Sequence, residues 1–274
     1  HHGDIGGSTA GSYNPKATEI FQEGIRIPPT KIMKNFKITD EVMDLILLNT
    51  RNPQMLRSDL SAQLGANRLA VKRIEEMVAT YGVDTVEKAV SSYLKQTEIL
   101  TRKRIEEISD GVYRAVEYID DDGFQEEPVK IEVAVKVAGD KILVDFEGTD
   151  PQVKGFINTS VVTATTASGI ACLWFLGSDI PRNGGAFGCI DVNLPKGSLV
   201  NPYEPAPMTL CTLTPASEII GTIFQALDQA IPGKVCAGYT RYAGPSYYGT
   251  DPRTGRYYVG FSFCSAGSGG ALSY

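Results

Sequence analysis

Residues 131–147 read Ile131-Glu132-Val133-Ala134-Val135-Lys136-Val137-Ala138-Gly139-Asp140-Lys141-Ile142-Leu143-Val144-Asp145-Phe146-Glu147. Apolar side chains alternate with polar or small ones on both sides of Gly139-Asp140. A period of two places successive side chains on opposite faces of a strand, and a Gly-Asp pair is typical of a tight turn. The segment therefore predicts an antiparallel hairpin whose two strands bury one face.

Upstream of this hairpin the apolar period changes from 2 to 3.6, which is typical of helices. Thr39 is a suitable N-cap for a first helix, which we expect to stop at Asn52-Pro53. The pattern predicts a second helix over residues 57–81 and a third over residues 85–109. We expect the three helices to pack as an antiparallel bundle or hairpin.

Downstream of the hairpin, helices are predicted over residues 161–176 and 215–230, the latter with Thr214 as N-cap and Pro215 at its first position. A last strand is predicted over residues 256–263. The chain is therefore expected to have an α/β (mixed α+β) fold, with an N-terminal helical part packed on a β-rich mixed part that contains antiparallel hairpins.

A boundary is expected near Asp110, dividing the chain into two parts of one larger subunit. Residues 1–110 would hold the N-terminal loop and the helical part, and residues 111–274 the mixed β-rich part. Both ends lie in glycine-rich motifs, so we interpret the chain as an internal fragment of a longer protein.

Composition excludes several classes of function. A net charge of −6 over 274 residues gives no electrostatic footprint for nucleic acid, and no apolar run approaches the roughly 18 residues that span a bilayer. The five cysteines are widely spaced and form no Cys-x-x-Cys pair, which favours small core thiols in a reducing, cytoplasmic compartment, with a thiol nucleophile or a thiolate metal site as the alternatives. They are Cys172, Cys189, Cys211, Cys236 and Cys264.

The chain has two histidines, and both lie in the motif His1-His2-Gly3-Asp4-Ile5-Gly6-Gly7. Imidazole and carboxylate groups are the usual ligands of zinc, manganese or iron. His1, His2 and Asp4 are therefore candidate ligands of a divalent metal, and His1 and Asp4 are candidate catalytic groups. At least one further ligand would have to come from outside the fragment. The alternatives are a surface loop or the remnant of an expression tag.

Two weaker candidates could line a substrate cleft. Asp59, Gln63 and Asn67 are spaced i, i+4, i+8 on the second helix, so they share one side of it. Asn158 belongs to the polar turn over residues 148–159, which follows the hairpin and precedes a helix. A solvated helix face and an ordinary turn are the alternatives. The chain contains neither a Walker-type loop nor a Gly-x-Gly-x-x-Gly motif, so the common ATP and dinucleotide sites are absent from the sequence.

Several motifs, taken together, resemble the B-type subunit of the hydantoinase/oxoprolinase and acetone-carboxylase family. Their order and spacing hold over nearly the whole chain, which makes the set specific where one motif alone is not. They are residues 1–7, Phe21-Gln22-Glu23-Gly24-Ile25-Arg26-Ile27-Pro28-Pro29, Arg51-Asn52-Pro53, Asp59-Leu60-Ser61-Ala62-Gln63-Leu64-Gly65-Ala66-Asn67, Tyr81-Gly82, Phe146-Glu147-Gly148-Thr149 with Gln152, Gly155 and Asn158, Asp179-Ile180-Pro181-Arg182-Asn183-Gly184-Gly185, and Pro195-Lys196-Gly197-Ser198-Leu199-Val200-Asn201-Pro202.

The resemblance implies an A-type partner subunit that binds ATP and phosphorylates an amide or enolate oxygen of a small-molecule substrate. The B-type subunit then completes ring hydrolysis or carboxylation, and the family's metal site draws on the region matched by His1, His2 and Asp4. The segment Leu210-Cys211-Thr212-Leu213-Thr214-Pro215 departs from a Gly-Asn-Val-Glu-Thr-like segment in hydrolase-type members, which leaves the substrate open.

Three functions are considered, of which the resemblance implies the first two. The first is an ATP-dependent hydrolase of cyclic amides such as hydantoins, 5-oxoproline or lactams, in which a metal held by His2 and Asp4 activates water and His1 orients a ligand or acts as a base. The second is a subunit of an acetone- or acetophenone-type ketone carboxylase. The third is a non-catalytic scaffold for the partner.

Overall fold

The computed structural model describes residues 3–238, 246–262 and 270. Two 3-10 turns lie near the N-terminus, at Ala10–Ser12 and Ile20–Gln22. The α-helices of the described residues are α1 (Asp40–Leu48), α2 (Pro53–Tyr81), α3 (Val83–Glu106), α4 (Val161–Leu176), α5 (Gly184–Phe187) and α6 (Ala216–Asp228). The strands are β1 (Met33–Lys34), β2 (Lys37–Ile38), β3 (Gly111–Ile119), β4 (Val129–Ala138), β5 (Lys141–Asp145), β6 (Ile190–Asn193), β7 (Ser246–Thr250) and β8 (Tyr257–Phe261).

The predicted hairpin forms the centre of a four-stranded mixed sheet with the order β3-β4-β5-β6. Val137 pairs with Ile142 and Ala138 with Lys141 in the antiparallel β4–β5 ladder. Gly139, in the two-residue turn between them, has a φ of 58°, a conformation that glycine adopts without steric cost. The predicted hairpin and its buried face are confirmed, since Ile131, Val133 and Val135 are all fully buried.

Strand β3 was not predicted, although it is the longest partner of the hairpin. It pairs antiparallel with β4 over its whole length, from Gly111↔Val137 to Ile119↔Val129. Its side chains alternate between half-buried and exposed, as expected for an edge strand with one solvated face. Strand β6 pairs parallel with β5 on the other side and follows a crossover through α4 and α5.

Helices α4 and α6 pack against each other, and both contact the sheet. In α6 the residues Ile219, Ile223 and Leu227 recur every fourth position and are fully buried. Burial of one such aliphatic side chain stabilises the fold by about 1.5–3 kcal/mol. The small residues of α4 allow close approach: ring carbons of Phe187 lie 2.6 Å from the place where a Cβ on Gly169 would stand.

The start of α6 differs from the prediction. Pro215 is the N-cap residue rather than the first helical residue, and no side-chain hydrogen bond caps the helix. Ser217 Oγ instead donates to the Leu213 carbonyl at 2.6 Å. Thr214 therefore does not have the capping role predicted for it.

Helix α2 begins four residues earlier than predicted. The Asn52 side chain accepts a hydrogen bond from the Met55 N–H at 3.2 Å, so Asn52 is the N-cap and Pro53 the first helical residue. The Asn52-Pro53 pair thus starts α2, whereas α1 has already ended at Leu48. The first residue of a helix does not need its N–H for a hydrogen bond within the helix, so proline is tolerated there. The Asn-Pro pair is therefore compatible with the start of a helix as well as with its end.

Within the described residues α1, α2 and α3 do not bury a common bundle core, although α1 contacts α2 and α2 contacts α3. Of all the residues in α2, only Leu56 is buried, and Val71 and Ile74 are exposed. Helix α3 buries Thr97, Thr101 and Ile105 in its second half, where it contacts α5 and β5. The helical period of the apolar residues predicted the helices correctly. It did not predict which neighbour covers each apolar face.

The helical part packs on the β-rich part through α3, as the predicted fold class requires. Ile105 and Ile108 belong to the same buried cluster as Val133 and Val144 of the hairpin. Met43, Ile46, Leu47 and Leu56 form a second, smaller cluster between α1 and α2. The mixed α/β fold is therefore confirmed, while the domain boundary near Asp110 stays a prediction.

The predicted C-terminal strand corresponds to β8, which pairs antiparallel with β7 around the turn at Asp251–Gly255. Phe263, the last residue of that prediction, lies outside the described residues. Val259 and Phe261 of β8 approach Gly11 of the N-terminal turn. In the part of the chain that is described, no helix has the length and apolar character needed to cross a membrane.

Candidate functional site

The N-terminal loop (residues 3–12) is the part of the His-His-Gly-Asp motif that the structure describes. His1 and His2 lie outside the described residues. Asp4 has no exposed surface and sits at the centre of the loop. Its Oδ1 accepts hydrogen bonds from the N–H groups of Gly6 (2.9 Å) and Arg51 (3.1 Å). Its Oδ2 accepts from the N–H of Gly11 (2.8 Å) and from Nη1 of Arg51 (3.0 Å).

The Arg51 guanidinium joins the loop by several contacts besides its ion pair with Asp4. Nη2 donates to the Gly7 carbonyl at 2.8 Å, and Nη1 lies 3.2 Å from the Thr9 carbonyl and 3.4 Å from that of Gly6. Thr50 Oγ1 adds a bond to the Asp4 carbonyl at 2.7 Å. Residues 50–51, which connect α1 to α2, therefore hold both the charge and the backbone of the loop.

The glycines of the motif allow the backbone of the loop to follow this path. Gly6 and Gly7 have φ values of 91° and 81°. A Cβ on Gly6 would stand 2.5 Å from the Asn49 carbonyl oxygen, and one on Gly7 would stand 2.6 Å from that of Gln22. Both positions need glycine because the backbone is left-handed there and another segment of the chain approaches closely.

The charge state of Asp4 follows from its surroundings. Burial acts to raise the pKa of this carboxyl, but the N–H groups of Gly6, Arg51 and Gly11 and the Arg51 side chain act in the other direction and outweigh it. The net effect is a pKa below the usual range. Asp4 is therefore an ionised, hydrogen-bonded carboxylate at neutral pH.

The surroundings of Asp4 do not fit the ligand and catalytic roles predicted for it. A carboxylate offers about four lone-pair sites, and four N–H donors occupy them. A metal ion would have to displace these donors and stand beside a guanidinium. Asp4 also has no exposed surface through which to meet a substrate. Within residues 3–238, 246–262 and 270, no cluster of three His, Cys, Asp or Glu side chains is placed to hold a metal.

The polar stripe of α2 is only partly recessed. Asp59 is half-buried, whereas Gln63 and Asn67 are exposed. Asp59 lies six residues after Pro53, which places it about 9 Å along the helix axis from the end that Arg51 joins to the loop. The three residues share one helix as predicted, and their contact with a substrate stays a prediction.

Asn158 has a structural role. It is fully buried, its Oδ1 accepts from the Val153 N–H at 2.9 Å, and its Nδ2 donates to three carbonyls. Those carbonyls belong to Val153 (2.9 Å), Gly155 (2.9 Å) and Pro207 (3.0 Å). Because the side chain has no exposed surface and its N–H groups bind backbone carbonyls, the structure gives no support to Asn158 as a cleft residue, and its contact with a substrate stays a prediction. It joins two loops.

Sequence reasoning missed a second carboxylate of this kind. Glu23 is buried, and its Oε1 accepts hydrogen bonds from the N–H groups of Met208 (2.9 Å) and Thr209 (2.8 Å). It ties the N-terminal segment to the loop before α6. Glu23 and Arg51 both stand in the motifs that carry the family resemblance, but a local pattern does not show which distant backbone groups they bind.

The comparisons with known proteins agree with this fold and these motifs. The family model described as hydantoinase B/oxoprolinase matches residues 1–273, and the chain belongs to that family. It is 33% identical over 254 residues to the caprolactamase subunit beta of Pseudomonas jessenii, a match that covers 92% of this chain and 44% of the relative. The crystal structure of the ATP-dependent caprolactamase from that organism superposes with a TM-score of 0.87 at 32% identity, over 93% of this chain and 44% of that one.

Two more distant relatives carry other names. The 5-oxoprolinase 1 of Arabidopsis thaliana is 28% identical over 82% of this chain and 20% of its own length. The acetophenone carboxylase delta subunit of Aromatoleum aromaticum is 27% identical over 84% of this chain and 34% of its own length. The chain thus spans less than half the length of each of these relatives, and the family contains subunits of both hydrolases and carboxylases.

Proposed function

We propose that the chain is part of the B-type subunit of an ATP-dependent hydrolase of cyclic amides, with lactams, hydantoins and 5-oxoproline as the substrate class. The observation that carries the proposal is its similarity to the caprolactamase subunit beta, at 33% identity over 92% of the chain. The reaction belongs to an assembly with an A-type subunit, which binds the ATP. The sequence fits this division, because it has no nucleotide-binding motif of the common kinds.

In this reaction the terminal phosphoryl group of ATP is transferred to the amide oxygen of the substrate on the partner subunit. Water then adds to the activated carbon and the ring C–N bond breaks, so that the nitrogen leaves with a proton and the carbon remains as an acyl phosphate. A second water hydrolyses the acyl phosphate, which releases phosphate and gives the ring-opened carboxylic acid. Binding of zinc, manganese or iron by His1 and His2 remains part of the proposal, with the other ligands outside the described residues. No step is assigned to Asp4, because all of its lone pairs are engaged.

A ketone carboxylase is the second candidate, and its support is the similarity to the acetophenone carboxylase delta subunit. The identity is lower there, at 27% against 33% for the lactamase subunit. A scaffold that only organises the partner is the third. A cytoplasmic location is proposed with all three, and the reduced thiols Cys172 and Cys189 fit it.

The test is substrate-stimulated ATP hydrolysis by the full-length subunit, co-expressed with its A-type partner. Lactams, hydantoins, 5-oxoproline and small ketones are screened, each with and without bicarbonate. Stimulation by a cyclic amide without bicarbonate supports the hydrolase. Product formed from a ketone only when bicarbonate is present overturns it in favour of the carboxylase.

The scaffold is tested with His2→Ala in the same assembly. Loss of substrate-stimulated hydrolysis, with assembly intact by gel filtration, excludes the scaffold reading. Full activity of this variant in an assembly without bound metal supports it.

A further inference from the structure

We propose that Asp4 and Arg51 act as a positioning pair, which fixes the loop following His1 and His2 against the start of α2, and that neither side chain touches substrate. The catalytic meaning of this pair rests on the proposed function of the loop. The structural role, in which the two side chains hold the same loop, does not rest on the proposed function. This assignment replaces the ligand and proton-transfer roles that the sequence suggested for Asp4.

The geometry makes the two side chains one network. The Asp4 carboxylate accepts hydrogen bonds from the backbone N–H groups of Gly6, Gly11 and Arg51. The Arg51 side chain donates to the carbonyls of Gly6, Gly7 and Thr9. Removing either partner leaves the other with unsatisfied polar groups at the same loop. Loss of Asp4 and loss of Arg51 should therefore release the same segment of backbone.

The network continues into α2. Arg51 is followed by Asn52, whose N–H donates to Thr50 Oγ1 at 3.1 Å and whose side chain caps the helix. The loop and the first turns of α2 thus share one frame, and this frame holds Asp59 at a fixed place relative to the loop.

The choice of arginine has a physical reason. A guanidinium presents five donors in a planar fork, so it can bind a carboxylate and several carbonyls at once. The ammonium group of a lysine is a single point of charge and does not span the distance between these acceptors. Arg51→Lys is therefore expected to keep the charge but lose most of the positioning.

A double-mutant cycle tests the pair in the full-length subunit with its A-type partner. Asp4→Asn, Arg51→Ala and the double variant are compared for kcat, for the KM of ATP and for thermal stability. Each single variant is expected to lower kcat by about ten-fold to a hundred-fold, since small misplacements have effects of that size. The double variant is expected to be no worse than the worse single variant, and the KM of ATP to stay unchanged.

Independent effects would overturn the proposal. If the losses multiply in the double variant, or if Asp4→Asn abolishes turnover while Arg51→Ala leaves it intact, then Asp4 acts on its own in the chemistry. Arg51→Lys serves as the milder variant should Arg51→Ala fail to fold. Partial recovery of kcat in Arg51→Ala by added methylguanidine is expected for a positioning role, and no recovery in a folded variant counts against it.

Arg57→Ala is the matched control. Arg57 lies six residues after Arg51, inside α2, and its 3.4 Å ion pair with Asp44 joins side chains that are 51% and 72% exposed. An exposed pair of this kind contributes little to stability. Its removal is expected to leave kcat and stability unchanged.

A second readout does not need the substrate. Diethyl pyrocarbonate modifies accessible histidines, and peptide mass spectrometry follows His1 and His2 separately from other sites. The modification rate is expected to change several-fold in both Asp4→Asn and Arg51→Ala, and not in Arg57→Ala. An unchanged rate in both variants overturns the pair, whereas absence of any substrate-stimulated ATP hydrolysis in the wild type overturns only the proposed function.

Discussion

The backbone oxygen of Asp122 occupies the space that a Cβ atom on Gly155 would need, and the Gly155 N–H donates to Asp122 Oδ2 at 3.1 Å. Two loops, one between β3 and β4 and one before α4, are thereby held in direct backbone contact. The contact depends on one residue that lacks a side chain and one that supplies a buried acceptor.

The first prediction is that Gly155→Ala destabilises the protein by about 3 kcal/mol, because the loops must separate to admit the methyl group. Gly65→Ala is the control: Gly65 lies inside α2, and a Cβ there meets nothing within 4 Å. That change should stabilise by up to about 1 kcal/mol through helix propensity. Chemical denaturation measures the free energy of unfolding of both variants. If both substitutions change it equally and in the same direction, the contact between Gly155 and Asp122 is not tight.

The second prediction concerns acid stability. Burial acts to raise the pKa of Asp122, but hydrogen bonds from the N–H groups of Gln125, Phe124 and Gly155 outweigh it and leave the pKa below the ordinary 3.8. The folded state thus favours the ionised form. The stability from these bonds is present above the unfolded pKa and is lost as the pH falls through the lower, folded pKa.

Asp122→Asn is therefore expected to lower the free energy of unfolding by about 1–3 kcal/mol at pH 7. The difference in this free energy between the variant and the wild type should narrow below about pH 4. Denaturant titrations at a series of pH values measure this. Asp44→Asn is the control, since the Asp44 side chain is 72% exposed. A gap that stays constant down to the acid end would contradict the prediction.

The third prediction separates the structural role of Asn158 from the substrate role that the sequence suggested. Asn158→Asp should destabilise the protein more than Asn158→Ala, since a carboxylate oxygen would face the carbonyls of Val153, Gly155 and Pro207 where an N–H group now donates. Thermal unfolding measures the order. A normally stable Asn158→Ala with a raised KM for substrate would restore the cleft role.

The fourth prediction concerns thiol reactivity. Cys172 is fully buried, and burial raises its pKa from the ordinary 9.0 to about 12. At pH 8 roughly one thiol in ten thousand is then ionised, so iodoacetamide should label Cys172 only after unfolding. Cys211 and Cys236 are only partly buried and should react faster. Peptide mapping after timed labelling of the native protein checks the order, and early labelling of Cys172 would contradict it.

Sequence pattern predicted the parts of the fold that depend on nearby residues. The alternation around Gly139-Asp140 located the β4–β5 hairpin, and the helical pattern over residues 215–230 located α6. It failed where two local readings were equivalent: Asn52-Pro53 serves a helix end as well as a start. It also failed for the bundle, because periodicity shows that a helix has an apolar face but not what covers it.

The chemical role of a polar residue needed the tertiary structure. Sequence alone singled out Asp4 and Asn158 as candidate site residues, and both are fully buried and hydrogen-bonded to backbone groups. A buried polar group must find partners, and for Asp4 two of these hydrogen bonds come from Arg51, 47 positions away in the chain. Which distant groups meet is a property of the folded chain, so local residue types indicated where to look and only the packing of the loops determined which groups Asp4 and Asn158 bind.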